Sequence, residues 1–193
     1  MSDYDVFYLN LSGQNLTVLP DLSLYPNLKR LYCSNNKLTS LENLPPKLQE
    51  LYCSNNKLTS LENLPPKLQE LRCDDNQITS LDHLPPNLQT LYCAYNQLIS
   101  LDNLPYNLHK LYCTHNQLIS LDNLPPNLQD LCCWNNQLTS LDILHLTLQE
   151  LYCENNPIYA TCKKLYGFKL SEKTIEQYNE IIRLEKECCP LLK

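Results

Sequence analysis

Glycine is nearly missing from this chain, with two among 193 residues, Gly13 and Gly167. An ordinary globular domain carries roughly 7%, so tight turns with φ > 0 should be almost absent and a phosphate-cradling glycine loop is excluded. Valine and phenylalanine occur only twice each, tryptophan once, and methionine only as the first residue. Basic side chains are too few for a nucleic-acid partner: 15 Lys and Arg against 21 Asp and Glu leave a net charge of −6, whereas phosphate neutralisation needs clustered cations. No apolar run approaches the ~18 residues of a membrane span. The opening MSDYDVFYLN has neither a basic n-region nor an apolar h-region, so no secretory signal is expected. These absences predict a cytoplasmic protein with reduced thiols.

What is present is lopsided: 43 leucines, 22 asparagines and 11 cysteines. The cause is a repeat of period 20. Residues 31–50 read LYCSNNKLTSLENLPPKLQE, and residues 51–70 read the same, letter for letter. Six units of the form LxxLxCxxNxLxxLxxLPxx follow one another over residues 28–147, after a divergent unit at about 6–27 and before a partial one at 148–158. A fixed period of this length marks a solenoid, in which each unit buries its apolar side only against its neighbours.

Within LxxLxC, leucine and cysteine alternate with outward residues at a spacing of two, the pattern of a short strand with one buried face. Stacked units therefore make a parallel sheet of three-residue strands. The rest of the unit is too short for a helix and carries Pro-Pro at 45–46, 65–66, 85–86 and 125–126, which favours extended, polyproline II or 3-10 backbone. Asn36, Asn56, Asn76, Asn96, Asn116, Asn136 and Asn156 follow the strands. Their amides are expected to bond turn backbone in their own and adjacent coils, holding the turn in place of φ > 0 glycine. The open end of the stack needs a cover. Asn156 and Pro157 can start a helix that Gly167 stops, and Ser171 can cap a second over about 172–189, ended by Pro190. Residues 1–158 are thus read as solenoid and 159–193 as a C-terminal helical cap.

The unit resembles the leucine-rich repeat in its short form, and NLPPKLQELYCSNNKLTSLENLPP is similar to the repeats of bacterial effectors such as YopM and the IpaH ubiquitin ligases. Cysteine here replaces their strand valine, and the Cys- and Asn-rich composition looks closer still to repeat proteins of giant, Mimivirus-type DNA viruses. The resemblance implies an α/β-solenoid horseshoe with its strands on the concave face, where a protein partner binds. It also implies a viral or effector-type protein acting inside a host cell. Only some 35 residues follow the repeats, so the ligase activity of the IpaH enzymes is not expected.

Residues flanking the buried Leu and Cys should face outward. The central column is Tyr32, Tyr52, Arg72, Tyr92, Tyr112, Cys132 and Tyr152. Beside it, Asp74, Tyr95, His115 and Trp134 depart from the repeat consensus. These are the candidate partner-binding residues, because large rigid rings and arginine are favoured at hot spots. The alternative is a set of rings that merely stiffen the sheet. The overall reading is accordingly a non-catalytic, monomeric interaction module; the alternative is a structural, self-associating scaffold component.

The ladder Cys33, Cys53, Cys73, Cys93, Cys113, Cys133 and Cys153 could be a metal or redox array, but buried thiols are raised in pKa and inert and no CxxC or Cys/His ligand spacing appears. It is read as structural, like the asparagine column. A carboxylate row, Glu42, Glu62, Asp82, Asp102, Asp122 and Asp142, is read as a solvated edge, or as carboxylates accepting local backbone N–H groups, rather than as a Ca²⁺ site. His83, His109, His115 and His145 form no nucleophile–base set, and no cofactor is expected. Cys188 and Cys189 could accept palmitate, but burial in the cap is the favoured reading.

Overall fold

The computed structural model describes residues 6–140 and 148–158. Eight three-residue strands lie side by side in chain order: β1 Tyr8–Asn10, β2 Arg30–Tyr32, β3 Glu50–Tyr52, β4 Glu70–Arg72, β5 Thr90–Tyr92, β6 Lys110–Tyr112, β7 Asp130–Cys132 and β8 Glu150–Tyr152. All neighbouring pairs are parallel. From β2 onward the register advances by the repeat length: Leu31 faces Leu51, which faces Leu71, and so on to Leu151. The architecture is a stacked parallel-strand solenoid. The expected helical cap over 159–193, with Cys188 and Cys189, lies outside the described residues, as do residues 1–5, Asp142 and His145.

Each coil closes around the same apolar positions. In the second regular unit Leu48, Leu51, Cys53 and Leu58 have no solvent exposure and Leu61 has 2%. The same columns recur to Leu151 and Cys153 in one continuous cluster. Near-identical side chains at each rung mean that a leucine meets its own copy above and below. This is why so narrow a palette of apolar residues suffices. In the divergent first unit Leu22 is buried, while Leu9, Leu11, Leu16 and Leu19 are only partly so.

The side away from the sheet is short turns. The N–H of Leu48 donates to the Pro45 carbonyl at 3.1 Å, and the bond recurs at Leu68, Leu88, Leu108 and Leu128. Proline holds the second position in four of these five turns, Pro46, Pro66, Pro86 and Pro126, where its ring fixes φ; Tyr106 stands there in the other.

One expectation is overturned. Turns with positive φ are not scarce; they occur twice in most coils. Asn35, Asn55, Asp75, Tyr95, His115, Asn135 and Asn155 lie at φ 52–58° after each strand, and Asn43, Asn63, His83, Asn103 and Asn123 at φ 56–67° on the opposite side. Asparagine and aspartate tolerate this left-handed region better than other side chains because their short polar groups bond locally. The glycine deficit is therefore filled twice over. One asparagine of each Asn-Asn pair takes the left-handed backbone, and the next supplies the buried amide.

That amide links three stretches of chain. Nδ2 of Asn96 donates to the carbonyls of Cys73, Cys93 and Ala94 at 3.1 Å each, and its Oδ1 accepts the Ile78 N–H at 2.9 Å. The pattern repeats at Asn56, Asn76, Asn116, Asn136 and Asn156. Asn156, which the sequence also offered as a helix cap, has its Oδ1 occupied by the Leu138 N–H at 2.9 Å.

Candidate functional site

The open face of the sheet carries the outward residues of eight strands, and their spacing is set by the ladder beneath. Adjacent strands lie roughly 4.8 Å apart, close to ring-stacking distance, so an aromatic at one strand position stacks on its copy in the next coil. Tyr32 lies parallel to Tyr52 with centroids 4.3 Å apart, and Tyr92 to Tyr112 at 4.4 Å. Tyr8 extends the row, tilted, 5.2 Å from Tyr32. Arg72 interrupts the tyrosines without breaking the row, its guanidinium carbon 5.2 Å from the Tyr52 ring centre and 4.3 Å from that of Tyr92. Its Nε donates to Glu70 at 2.8 Å.

The column before the rings is largely paired. Arg30 grips Glu50 through two nitrogens, Glu50 also accepts the Tyr52 hydroxyl at 2.9 Å, and Lys110 pairs with Asp130. Exposed pairs of this kind contribute little stability; their effect is to hold the side chains that flank the rings. Burial, then the bond to Glu50, pushes the Tyr52 phenol up, and burial does the same at Tyr112, so both stay neutral at physiological pH.

The sites that depart from the consensus fall in two places. Asp74 stands alone, half-buried, accepting the Ala94 N–H at 2.9 Å and the Ser54 hydroxyl at 3.2 Å; burial raises its pKa despite those bonds. Tyr95, His115 and Trp134 come together. The Tyr95 and His115 rings stack at 4.0 Å, and Trp134 meets His115 edge-on at 4.7 Å. His115 Nε2 lies 2.8 Å from the Asn135 amide nitrogen, while its Nδ1 is buried with no partner among the described residues. As assigned, the amide nitrogen can only donate, so Nε2 accepts. Tyr95 and His115 occupy left-handed turn positions where other coils have asparagine or aspartate. A bulky ring is unusual there, and contact among the three rings offsets part of its conformational cost.

At the last rungs, Tyr112, Cys132, Trp134, Tyr152 and Glu154 line a mostly apolar depression. Cys132 is half-buried and Tyr152 is exposed. Glu154 belongs to this depression although composition gave no reason to select it; the missing signal was a coil-to-coil neighbour, visible only once the rungs are aligned. A second, polar groove is lined by Gln49, Gln69, Gln89 and His109, with Lys67, Asn87 and Asn107, and sequence reasoning passed it over because glutamine there reads as plain solvent-facing repeat.

The remaining candidates are scaffold in position. The seven ladder cysteines from Cys33 to Cys153 are fully buried. Burial pushes the Cys33 thiol up to about 12 and raises Cys53, Cys73, Cys93, Cys113 and Cys133 as well. The Sγ atoms of Cys53 and Cys73 donate to the next strand's carbonyls at 3.3 Å. The carboxylate row engages side-chain amides of the following coil as well as local groups. Asp82 accepts from Asn103 at 2.8 Å and Asp102 from Asn123 at 3.1 Å, while Ser80 bonds Asp82 within its own turn. Among the described residues, no three His, Cys, Asp or Glu side chains gather as metal ligands, and no helix is long and apolar enough to cross a membrane. The face presents hydroxyls, rings and fixed charges to solvent.

Two family models match the chain: Leucine Rich repeats (2 copies) over residues 46–86, and Leucine Rich Repeat over residues 27–46. No curated protein matches it. Among solved structures, YopM from Yersinia enterocolitica is similar over 77% of this chain at 40% identity, with a TM-score of 0.71. This chain spans 33% of that YopM chain. A Shigella effector leucine-rich repeat domain aligns with 97% of this chain and 78% of its own at 29% identity and a TM-score of 0.71. The functional domain of InlJ from Listeria monocytogenes, described as including a cysteine ladder, covers 78% of this chain and 40% of its own at 29% identity and a TM-score of 0.60.

Proposed function

Because this chain is a leucine-rich repeat protein that resembles bacterial effector repeat domains, we propose that it is a binding module without chemistry of its own, taking a protein partner on its ring-lined sheet face. The observation that carries this reading is the continuity of that face. Rings and a guanidinium run from Tyr8 to Tyr112 at stacking distance, flanked by the Tyr95–His115–Trp134 cluster. Rigid rings order little on binding and each adds a polar tip, which is what recurrent interface hot spots share. Stacking on His115 still leaves Tyr95 48% exposed on a left-handed turn, ring surface that stiffening of the sheet does not require.

The effector neighbours support action on proteins of a host cell, in its cytoplasm. The test is affinity capture from host-cell extract with the native chain and with a Tyr92→Ala/Tyr112→Ala/Trp134→Ala variant whose circular dichroism matches. Loss of specific proteins from the variant is the expected result; identical captured sets overturn the reading.

A further inference from the structure

The ring row contains one filled rung and one empty rung of the same design. At the filled rung, Arg72 lies between Tyr52 and Tyr92, its guanidinium within 5.2 and 4.3 Å of the two ring centres, with Glu70 as its carboxylate partner. Three coils further on, Cys132 sits between Tyr112 and Tyr152 at the same strand position. Its side chain stops at Sγ, several atoms short of where the guanidinium of Arg72 lies. The space left over is the depression walled by Tyr112 and Tyr152, with Cys132, Trp134 and Glu154 also lining it. A planar group placed midway has about one rung to each wall, and neighbouring tyrosines in the row stack at 4.3–4.4 Å.

We propose that this slot binds the guanidinium of an arginine side chain presented by the protein partner, held between Tyr112 and Tyr152 as Arg72 is held between Tyr52 and Tyr92. Charge selects the cation over a neutral ring. Glu154 lines the slot, and Glu150 lies on the same strand as Tyr152. Neither forms an ion pair among the described residues, whereas Asp130 is already matched by Lys110. Stacked on one wall and paired in-plane with a carboxylate, a guanidinium uses its flat face and its rigid donor fork at once; an ammonium has neither. Trp134 also lines the slot. This inference rests on the partner-binding reading of the sheet face, and adds to it the chemistry of one anchor.

Trp134 is the chain's single tryptophan, so its fluorescence reports on the slot directly. The full chain is titrated with the blocked peptide acetyl-Gly-Arg-Gly-amide and with its citrulline counterpart, which keeps the shape and removes the charge. The expected result is a saturable change with the arginine peptide and affinity lower by about tenfold for citrulline. Cys132→Arg fills the slot from within and Cys132→Tyr restores the residue found at five other rungs, so both abolish the response. Glu154→Gln, a change on an outward position, weakens it by about threefold. No saturable response, equal affinity for the two peptides, or undiminished binding by a folded Cys132 variant each overturn the slot. Slot and partner reading fail separately. A null titration with altered host capture removes only the slot, and a positive titration with unchanged capture removes the partner reading and leaves a guanidinium slot that no captured partner uses.

Discussion

Two adjacent turn residues in a coil do opposite things, and substitution should separate them. Asn96 is buried and its amide serves three carbonyls and one N–H. Asn96→Ala strips partners from buried backbone in two coils, and a buried unsatisfied group costs about 1–3 kcal/mol. A loss of about 3 kcal/mol is therefore expected in urea denaturation. The residue before it works through backbone conformation instead. Tyr95 lies at φ 54°, so Tyr95→Ala and Tyr95→Gly lose the same stacking on His115, yet only alanine keeps a Cβ in the left-handed region. The glycine variant should be the more stable of the two by about 1 kcal/mol; equal midpoints would show that the turn carries no such strain. Asp74 gives a pH signature. Burial raises its folded pKa above the unfolded value, so its contribution to stability is full in acid and falls as pH rises through the folded pKa. Asp74→Asn can still accept the Ala94 N–H. It should remove that fall, leaving the variant at least as stable as the native chain at neutral pH, read from urea midpoints across pH.

A strand of three residues has no stability of its own; it exists because the next coil carries the same residues in the same register. Leu91 has no solvent exposure and faces Leu71 and Leu111. Leu91→Ala should cost about 2–5 kcal/mol in chemical denaturation. The cysteine rungs beside it are chemically silent in the folded state, since burial keeps thiols such as Cys33 protonated at physiological pH. Labelling of the seven ladder thiols with a thiol reagent should follow global unfolding as urea is raised, read by mass spectrometry of digested peptides; rapid native labelling of any of them would contradict their burial. Strand, buried face and period were legible because alternation of leucine and cysteine is a local signal. The left-handed turns were not legible, because scarce glycine does not signal a conformation that asparagine, Asp75, Tyr95 and His115 adopt instead. Tyr112 and Trp134 could be selected one at a time by type. Their joint depression with Glu154 could not, because it is made by residues 20 apart whose proximity depends on the coil-to-coil register.

At the scale of the whole molecule the duplicated unit sets the rules. Residues 31–50 and 51–70 are identical, so deleting 51–70 leaves every junction with a sequence that already occurs in the chain. The shortened protein should fold with the same circular dichroism per residue. Its urea m-value should be lower in proportion to the surface of one coil, because stability in such a stack is roughly a sum over units and their interfaces. An aggregated or unfolded product would mean that the first units hold a long-range contact beyond their neighbours.

The asparagine ladder also has a direction. The N–H of Leu38 is satisfied by Asn56, that of Leu58 by Asn76, and so on to Leu138 and Asn156; in this ladder the amide that completes a coil always comes from the coil that follows it in the chain. A ribosome delivers coils in that same order. Every unit leaving the exit tunnel therefore arrives as the missing piece of the unit already outside, and the solenoid can be laid down during synthesis like courses of brick, with only its newest course left open.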